Sequence, residues 1–332
     1  MQTSRQLCEQ VIRTVRAGGR IAMCAVVRTR GSCPQEAGAV MLVDERLQST
    51  GTLGGGCVEA EVCRKAYDLL RAGTSGKLTF VLDHDYGWDD GLICGGAMDI
   101  AVETIDRPEQ LKTFHDALAA IDANADARLA IRVDTDSGAE AYEVLVESRP
   151  TLLIAGAGHI GQALAKLAAT LDYRVVVVDD RADCCNAERF PTADERIVAD
   201  IESTLRAFPL DASVYVTIVT RGHQHDEQAL AAVLGRPARY VGLIGSRRKS
   251  RLIFKDLTEA GADPAELAKV HTPIGMTIGA VTVPEIAVSI AAELISIRRQ
   301  DATRRVTGPL SAGSETVKDA PVRSRPSTTT LP

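Results

Sequence analysis

The stretch Gly156-Ala157-Gly158-His159-Ile160-Gly161 constrains this chain more than any other. It follows an apolar run at 151–155 and opens a segment, 160–171, with apolar residues at helical spacing. A strand, a tight glycine turn and a helix, in that order, make the first unit of a doubly wound parallel sheet. The first glycine turns the chain, the second lets backbone approach a phosphate, and the third lets helix pack on strand. The next apolar run, 174–179, ends in Asp179. That is 18 residues past Gly161 (179 − 161), close to the spacing of a carboxylate that holds a ribose hydroxyl. The motif therefore predicts a dinucleotide, another nucleotide or a pterin phosphate, or a retained fold with a different occupant.

The alternation continues with strands at 196–198, 213–219 and 240–244 and helices at 201–207, 224–234 and 247–260. Strands this apolar are buried on both faces, so the C-terminal half is read as a Rossmann-like sheet covered by helices on both sides. Ligands bind such sheets at the C-terminal ends of the strands. His159 sits there, in the glycine turn, as a ligand contact, an acid or base, or a cap. Thr220-Arg221-Gly222-His223-Gln224-His225-Asp226 sits there too; His223, His225 and Asp226 are either metal ligands or the opening of a helix. Gly245-Ser246-Arg247-Arg248-Lys249 places cations at a helix start, which is costly without an anion and therefore reads as a phosphate seat.

The N-terminal half has a different rhythm. Helices at 4–17, 58–71 and 108–120 mix with strands at 20–28, 39–43, 77–82, 97–104, 127–133 and 140–146. This is a mixed α+β domain. Its chemistry gathers at Gly54-Gly55-Gly56-Cys57-Val58-Glu59, a glycine loop with a cysteine at a helix N-terminus, an environment that binds anions and favours thiolate. A tight turn followed by a small buried cysteine is the alternative. Cys94-Gly95-Gly96 repeats the pairing of cysteine and glycines. The boundaries read as 1–148, 149–300 and a polar tail, 301–332, expected to be disordered.

Composition excludes several classes. Lysine and arginine number 38 against 44 aspartate and glutamate, a net charge of −6, which leaves no nucleic-acid footprint. No apolar run reaches the roughly 18 residues of a membrane span, and Met1 to Glu9 has no signal-peptide core, so a cytoplasmic protein is expected. The eight cysteines are scattered without a CxxC pair, against both a disulfide framework and a structural zinc site.

Taken together, several motifs resemble the XdhC/CoxI family of accessory proteins for xanthine dehydrogenase and related molybdenum hydroxylases. They are Arg30-Gly31-Ser32, Gly54 to Glu59, Cys94-Gly95-Gly96, the glycine turn, Arg221-Gly222-His223, Gly245 to Lys249, Pro273-Ile274-Gly275, Ile278-Gly279-Ala280 and Pro284-Glu285-Ile286-Ala287. They occur in order from about residue 5 to 300. Cys33 and Val283 depart from the family pattern. The resemblance implies a chaperone that binds the molybdenum cofactor (molybdopterin), holds it while its sulfido ligand is installed, and delivers it to an apo-hydroxylase. A cysteine desulfurase would supply the sulfur.

On that reading the cofactor-binding residues are Gly54, Gly55, Gly56, Cys57, Glu59, Cys94, Gly156, Gly158, His159, Gly161, Asp179, Arg221, His223, Ser246, Arg247, Arg248 and Lys249. Cys57 is the thiol nearest molybdenum, since soft thiolates suit that metal. Two other readings stand beside it: an NAD(P)-dependent oxidoreductase, and a non-catalytic docking subunit. A homodimer is possible through the apolar helix at 284–298.

Overall fold

The computed structural model describes residues 4–82, 95–135, 138–299 and 305–308. In the C-terminal half, β8 (Thr151–Ala155), β9 (Arg174–Asp179), β10 (Glu195–Val198), β11 (Val214–Ile218) and β12 (Tyr240–Leu243) form a parallel sheet in the order β10-β9-β8-β11-β12. This is the expected doubly wound topology, with its order reversing between β8 and β11. Along β8, Leu152 and Ile154 face the core under α4 (His159–Thr170) and α9 (Val283–Arg299). Leu153 and Ala155 face the other core, under α5 (Ile201–Ala207), α6 (His223–Val233) and α7 (Arg247–Glu259). Both faces being buried explains why the strand is apolar at nearly every position.

The N-terminal half is built on an antiparallel sheet ordered β3-β2-β1-β5-β4: β1 (Ile21–Arg30), β2 (Val40–Asp44), β3 (Ser49–Gly51), β4 (Gly76–Val81) and β5 (Ala97–Ile105). Its central strand alternates. Ala22, Cys24 and Val26 pack beneath α2 (Gly56–Ala72). Ile21, Met23 and Ala25 pack against α1 (Ser4–Arg16), α3 (Lys112–Asp122) and the hairpin of β6 (Ala127–Thr135) and β7 (Gly138–Val146).

The structure departs from the sequence reading in places. Ser49–Gly51, which the sequence reading left outside any strand, pairs with β2 as a third strand. Helix α2 starts at Gly56 and so takes Cys57 into its first turn. A 3-10 turn, Pro108–Leu111, precedes α3, and α8 (Pro264–Leu267) was not anticipated. Within the expected tail, β13 (Val306–Thr307) pairs with β7, and Val306 packs on the N-terminal core. A sheet edge recruits a strand through backbone groups, and composition does not report that. The rest of the tail, and the segment 83–94, lie outside the described residues.

The halves meet at the N-terminal ends of the parallel strands. Asn124 donates to Ser213 at 2.6 Å, just before β11, and Arg299 pairs with Glu147 at 3.0 Å. A cavity of about 440 Å³ there is lined by Asp126, Glu147, Asp211, Arg239 and Arg305. This arrangement puts the C-terminal ends of the strands at the far side, about 16 Å along β8 at the usual rise per residue.

Ile154 is fully buried at the centre of this sheet. Ile154→Ala should destabilise the fold by about 2–5 kcal/mol, read as a lower urea midpoint at unchanged slope.

Candidate functional site

Each glycine of the turn has a separate geometry. At Gly156, φ is 120° and an added Cβ would lie 2.4 Å from the Val219 carbonyl oxygen, so the turn is pressed against the end of β11. At Gly161 it would lie 2.2 Å from the Gly156 oxygen, which sets the closeness of α4 to the turn. Gly158 has open space around it and opens α4 with no side-chain cap. The first-turn N–H groups of a helix lack intrahelical partners, so this is where an anion is received. His159 is exposed at the first position of α4.

Asp179 is where the sequence reading needs correcting. The residue is 2% exposed. One carboxylate oxygen accepts the Arg181 backbone N–H at 3.0 Å and Nε at 2.8 Å. The other accepts the Ala157 N–H at 2.7 Å and the Arg181 guanidinium at 2.9 Å. A carboxylate has about four acceptor directions, and here all are filled. It is a staple between the glycine turn and β9 and has no direction left for a ribose hydroxyl. Burial pushes its pKa up, but the Arg181 and backbone hydrogen bonds outweigh that and hold it at about 2.

Other predicted residues are also committed. Arg221 pairs with Asp180 through both terminal guanidinium nitrogens, at 3.1 and 2.9 Å, and its Nε meets His225 at 3.0 Å. Asp226 is fully buried, accepts from Thr220 at 2.5 Å, and is paired with Lys249. Lys249, expected on phosphate, is thus the counter-ion of a buried aspartate. Asp226, weighed as a metal ligand, is neutralised by it. Ser246 caps α7, accepting the Lys249 N–H. Arg247 and Arg248 are exposed, with no side-chain partner among the described residues, and remain available to an anion. The His223 ring is turned towards Glu227 and Asp256.

Two arginines had no signature in the sequence. Arg181 is the partner of Asp179. Arg189 reaches the Ala157 carbonyl at 3.4 Å, and its buried Nε has no hydrogen-bond partner among the described residues. Nothing in the spacing of either residue pointed to the glycine turn.

In the N-terminal half, three loops interlock at one end of the sheet. An added Cβ at Gly54 would lie 2.7 Å from Pro34, and one at Gly96 would lie 2.2 Å from the Ser32 oxygen. Gly95 bridges Ser32. Glu59 holds the glycine loop in shape: one oxygen accepts from Thr52 at 2.7 Å and from the N–H groups of Leu53 and Gly55 at 3.0 Å each. Burial raises the Glu59 pKa, yet these bonds bring it below the usual value. Cys57 is half-buried in the first turn of α2, and Gly55 and Gly56 have open space around them. Cys94 lies outside the described residues. Among the described residues, the contacts between the halves include Asn124 with Ser213 and Arg299 with Glu147, at the strand ends opposite the glycine turn.

Two outcomes follow from these pairs. Asp179 has a lowered pKa in the folded chain, so its stabilisation is present above pH 4 and lost as pH falls towards 2. It is on the order of 2 kcal/mol. Asp179→Asn should flatten that part of the acid-unfolding curve. Lys249→Met leaves Asp226 buried without its cation and should cost about 3 kcal/mol in denaturant unfolding, with or without an anion present.

The geometry can be set beside known proteins. Residues 152–294 match the XdhC Rossmann domain model, and residues 14–81 match the XdhC and CoxI family model. The uncharacterized protein YqeB of Escherichia coli is 30% identical over 281 residues, which are 83% of this chain but 43% of that protein, so the chain spans under half its length. A probable xanthine dehydrogenase subunit of Bacillus subtilis is 26% identical, covering 84% of this chain and 93% of that one. The molybdenum cofactor insertion chaperone PaoD of Escherichia coli is 23% identical, covering 89% and 88%. A crystal structure of a xanthine dehydrogenase from Bacillus halodurans shares the fold at a TM-score of 0.76 and 24% identity, over 90% of this chain and 96% of that one. Both halves match models of one family in the expected order, and the chain belongs to the XdhC and CoxI family.

Proposed function

We propose that this chain is an accessory protein that binds the molybdenum cofactor, holds it during sulfuration and delivers it to a xanthine dehydrogenase-type hydroxylase. The observation that carries the reading is the C-terminal edge of the parallel sheet. There Gly158 stands in open space at an uncapped helix start, while Arg247 and Arg248 are exposed at the start of α7. Molybdopterin ends in a phosphate, which suits unpaired N–H groups and guanidinium pairs. Family membership supports the reading, as does the role named for the PaoD relative.

The cofactor's soft end would meet Cys57, with a cysteine desulfurase as sulfur donor. Delivery needs a face for the hydroxylase. Met276, Ile278 and Val281 are 47%, 53% and 82% exposed, and they follow Ile274, whose N–H bonds Leu243 at the end of β12. They flank the edge that carries the glycine turn. Val288 and Ile295, exposed on α9, offer a face for a homodimer. No helix among the described residues is long and apolar enough to cross a membrane.

The NAD(P) oxidoreductase reading is disfavoured by Asp179, whose acceptor directions are filled by Ala157 and Arg181. Reconstitution separates the chaperone from a docking subunit. With apo-hydroxylase, cofactor and desulfurase, Cys57→Ala should lower the recovered hydroxylase activity by at least about tenfold, on the scale of losing a metal-site contact. Unchanged activation by Cys57→Ala would favour the docking role, and tight calorimetric binding of NAD⁺ would restore the oxidoreductase.

A further inference from the structure

The first turn of α6 and the middle of α7 face each other across a group of side chains of which the cofactor reading uses only His223. His223 and Glu227 stand one turn apart on α6, and Asp256 comes from α7. His223 Nε2 lies 4.0 Å from a Glu227 oxygen and 3.9 Å from an Asp256 oxygen. The three ligand atoms all lie within 4.8 Å of one another. We propose that His223, Glu227 and Asp256 form a site for a divalent first-row transition cation of the zinc class.

Three observations support it. First, His223 Nε2 is buried and has no hydrogen-bond partner among the described residues, although another part of the side chain is in solvent. A buried ring nitrogen left unpartnered is costly, and one aimed between two carboxylates is poised to ligate. Second, neither carboxylate has a lysine or arginine partner among the described residues. The ion-pair contacts of Glu227 and Asp256 there are with His223, and both side chains are only about one-third exposed. The nearby Lys249 is taken by Asp226. Two negative charges held together without a cation repel each other, and a bound cation removes that cost.

Third, the spacing is nearly right. Zinc bonds of about 2.1 Å in tetrahedral geometry hold ligand atoms about 3.4 Å apart. Closing the two His223 gaps takes about half an ångström each, and the widest separation among the three atoms, at most 4.8 Å, closes by up to about 1.4 Å through carboxylate rotation. The donor set of one imidazole and two carboxylates suits zinc, and it leaves at least one position for water or a ligand. This set differs from the His223, His225 and Asp226 grouping that the sequence suggested. There Asp226 is consumed by Lys249 and Thr220, and His225 faces Arg221. The sequence reading did not pair His223 with Glu227, and the third ligand comes from another helix.

Cobalt(II) is the direct probe, because its spectrum distinguishes nitrogen and oxygen ligands from thiolates. The full chain should bind Co²⁺ with ligand-field absorption and no thiolate charge-transfer band at this site, and Zn²⁺ should displace it. His223→Ala, Glu227→Gln and Asp256→Asn should each weaken Co²⁺ binding at least about tenfold, while Cys57→Ser leaves it unchanged. Without metal, Asp256→Asn should melt at or above the wild-type temperature, because it removes an unpaired charge. That variant therefore decides the matter even where His223→Ala fails to fold. Equal Co²⁺ affinity in wild type and Asp256→Asn, no uptake by wild type, or a spectrum carried by thiolates would overturn the assignment.

Discussion

The Asp179 carboxylate is the interaction on which the candidate site depends. It holds the glycine turn to the end of β9 through the Ala157 N–H, and it holds Arg181 beside both. A buried charge persists only when paired and hydrogen-bonded, and this one is fully satisfied within the chain. The turn is thereby fixed before any ligand arrives. The same carboxylate, free in a dinucleotide site, is withdrawn here from ribose recognition, which leaves the open space at Gly158 as the part of the motif that faces outward.

The rest of that edge follows the same logic of internal pairing. Asp226 takes Lys249, and Asp180 takes Arg221. Among the described residues, Arg247, Arg248 and the start of α4 are left open to an anion. In the other half, Glu59 does for the glycine–cysteine loop what Asp179 does for the turn, drawing in the Leu53 and Gly55 N–H groups while the space beside the Gly55 and Gly56 α-carbons stays open. Both loops are held by hydrogen bonds to a carboxylate and keep a glycine with open space beside it. They lie on different halves, whose contacts among the described residues include Asn124 with Ser213 and Arg299 with Glu147, at the strand ends away from Gly158.

Much of this was legible in the sequence. The unbroken apolar runs of β8 and β9 and the glycine turn specified the parallel sheet, because burial on both faces leaves no polar alternation. The alternation of Ile21, Met23 and Ala25 against Ala22, Cys24 and Val26 is masked in a strand buried on both sides, so the two-layered N-terminal core emerges only from the packing. The partner of a charged residue was the harder inference. Asp179 has the spacing of a ribose ligand, and only the placement of Arg181 reveals that it is spoken for. Lys249 reads as a phosphate ligand until Asp226 is seen beneath it. Long-range pairs such as His223 with Asp256, or β13 with β7, leave no local periodicity to detect.

The most direct measurement is the pterin content of the chain purified from a host that makes the molybdenum cofactor, read as fluorescence after oxidation. Wild-type protein should carry pterin, and the double variant Arg247→Ala/Arg248→Ala should carry much less while unfolding at the same denaturant concentration. Wild-type protein without pterin fluorescence, or a double variant that retains all of it, would contradict a cofactor phosphate seated at this edge of the sheet.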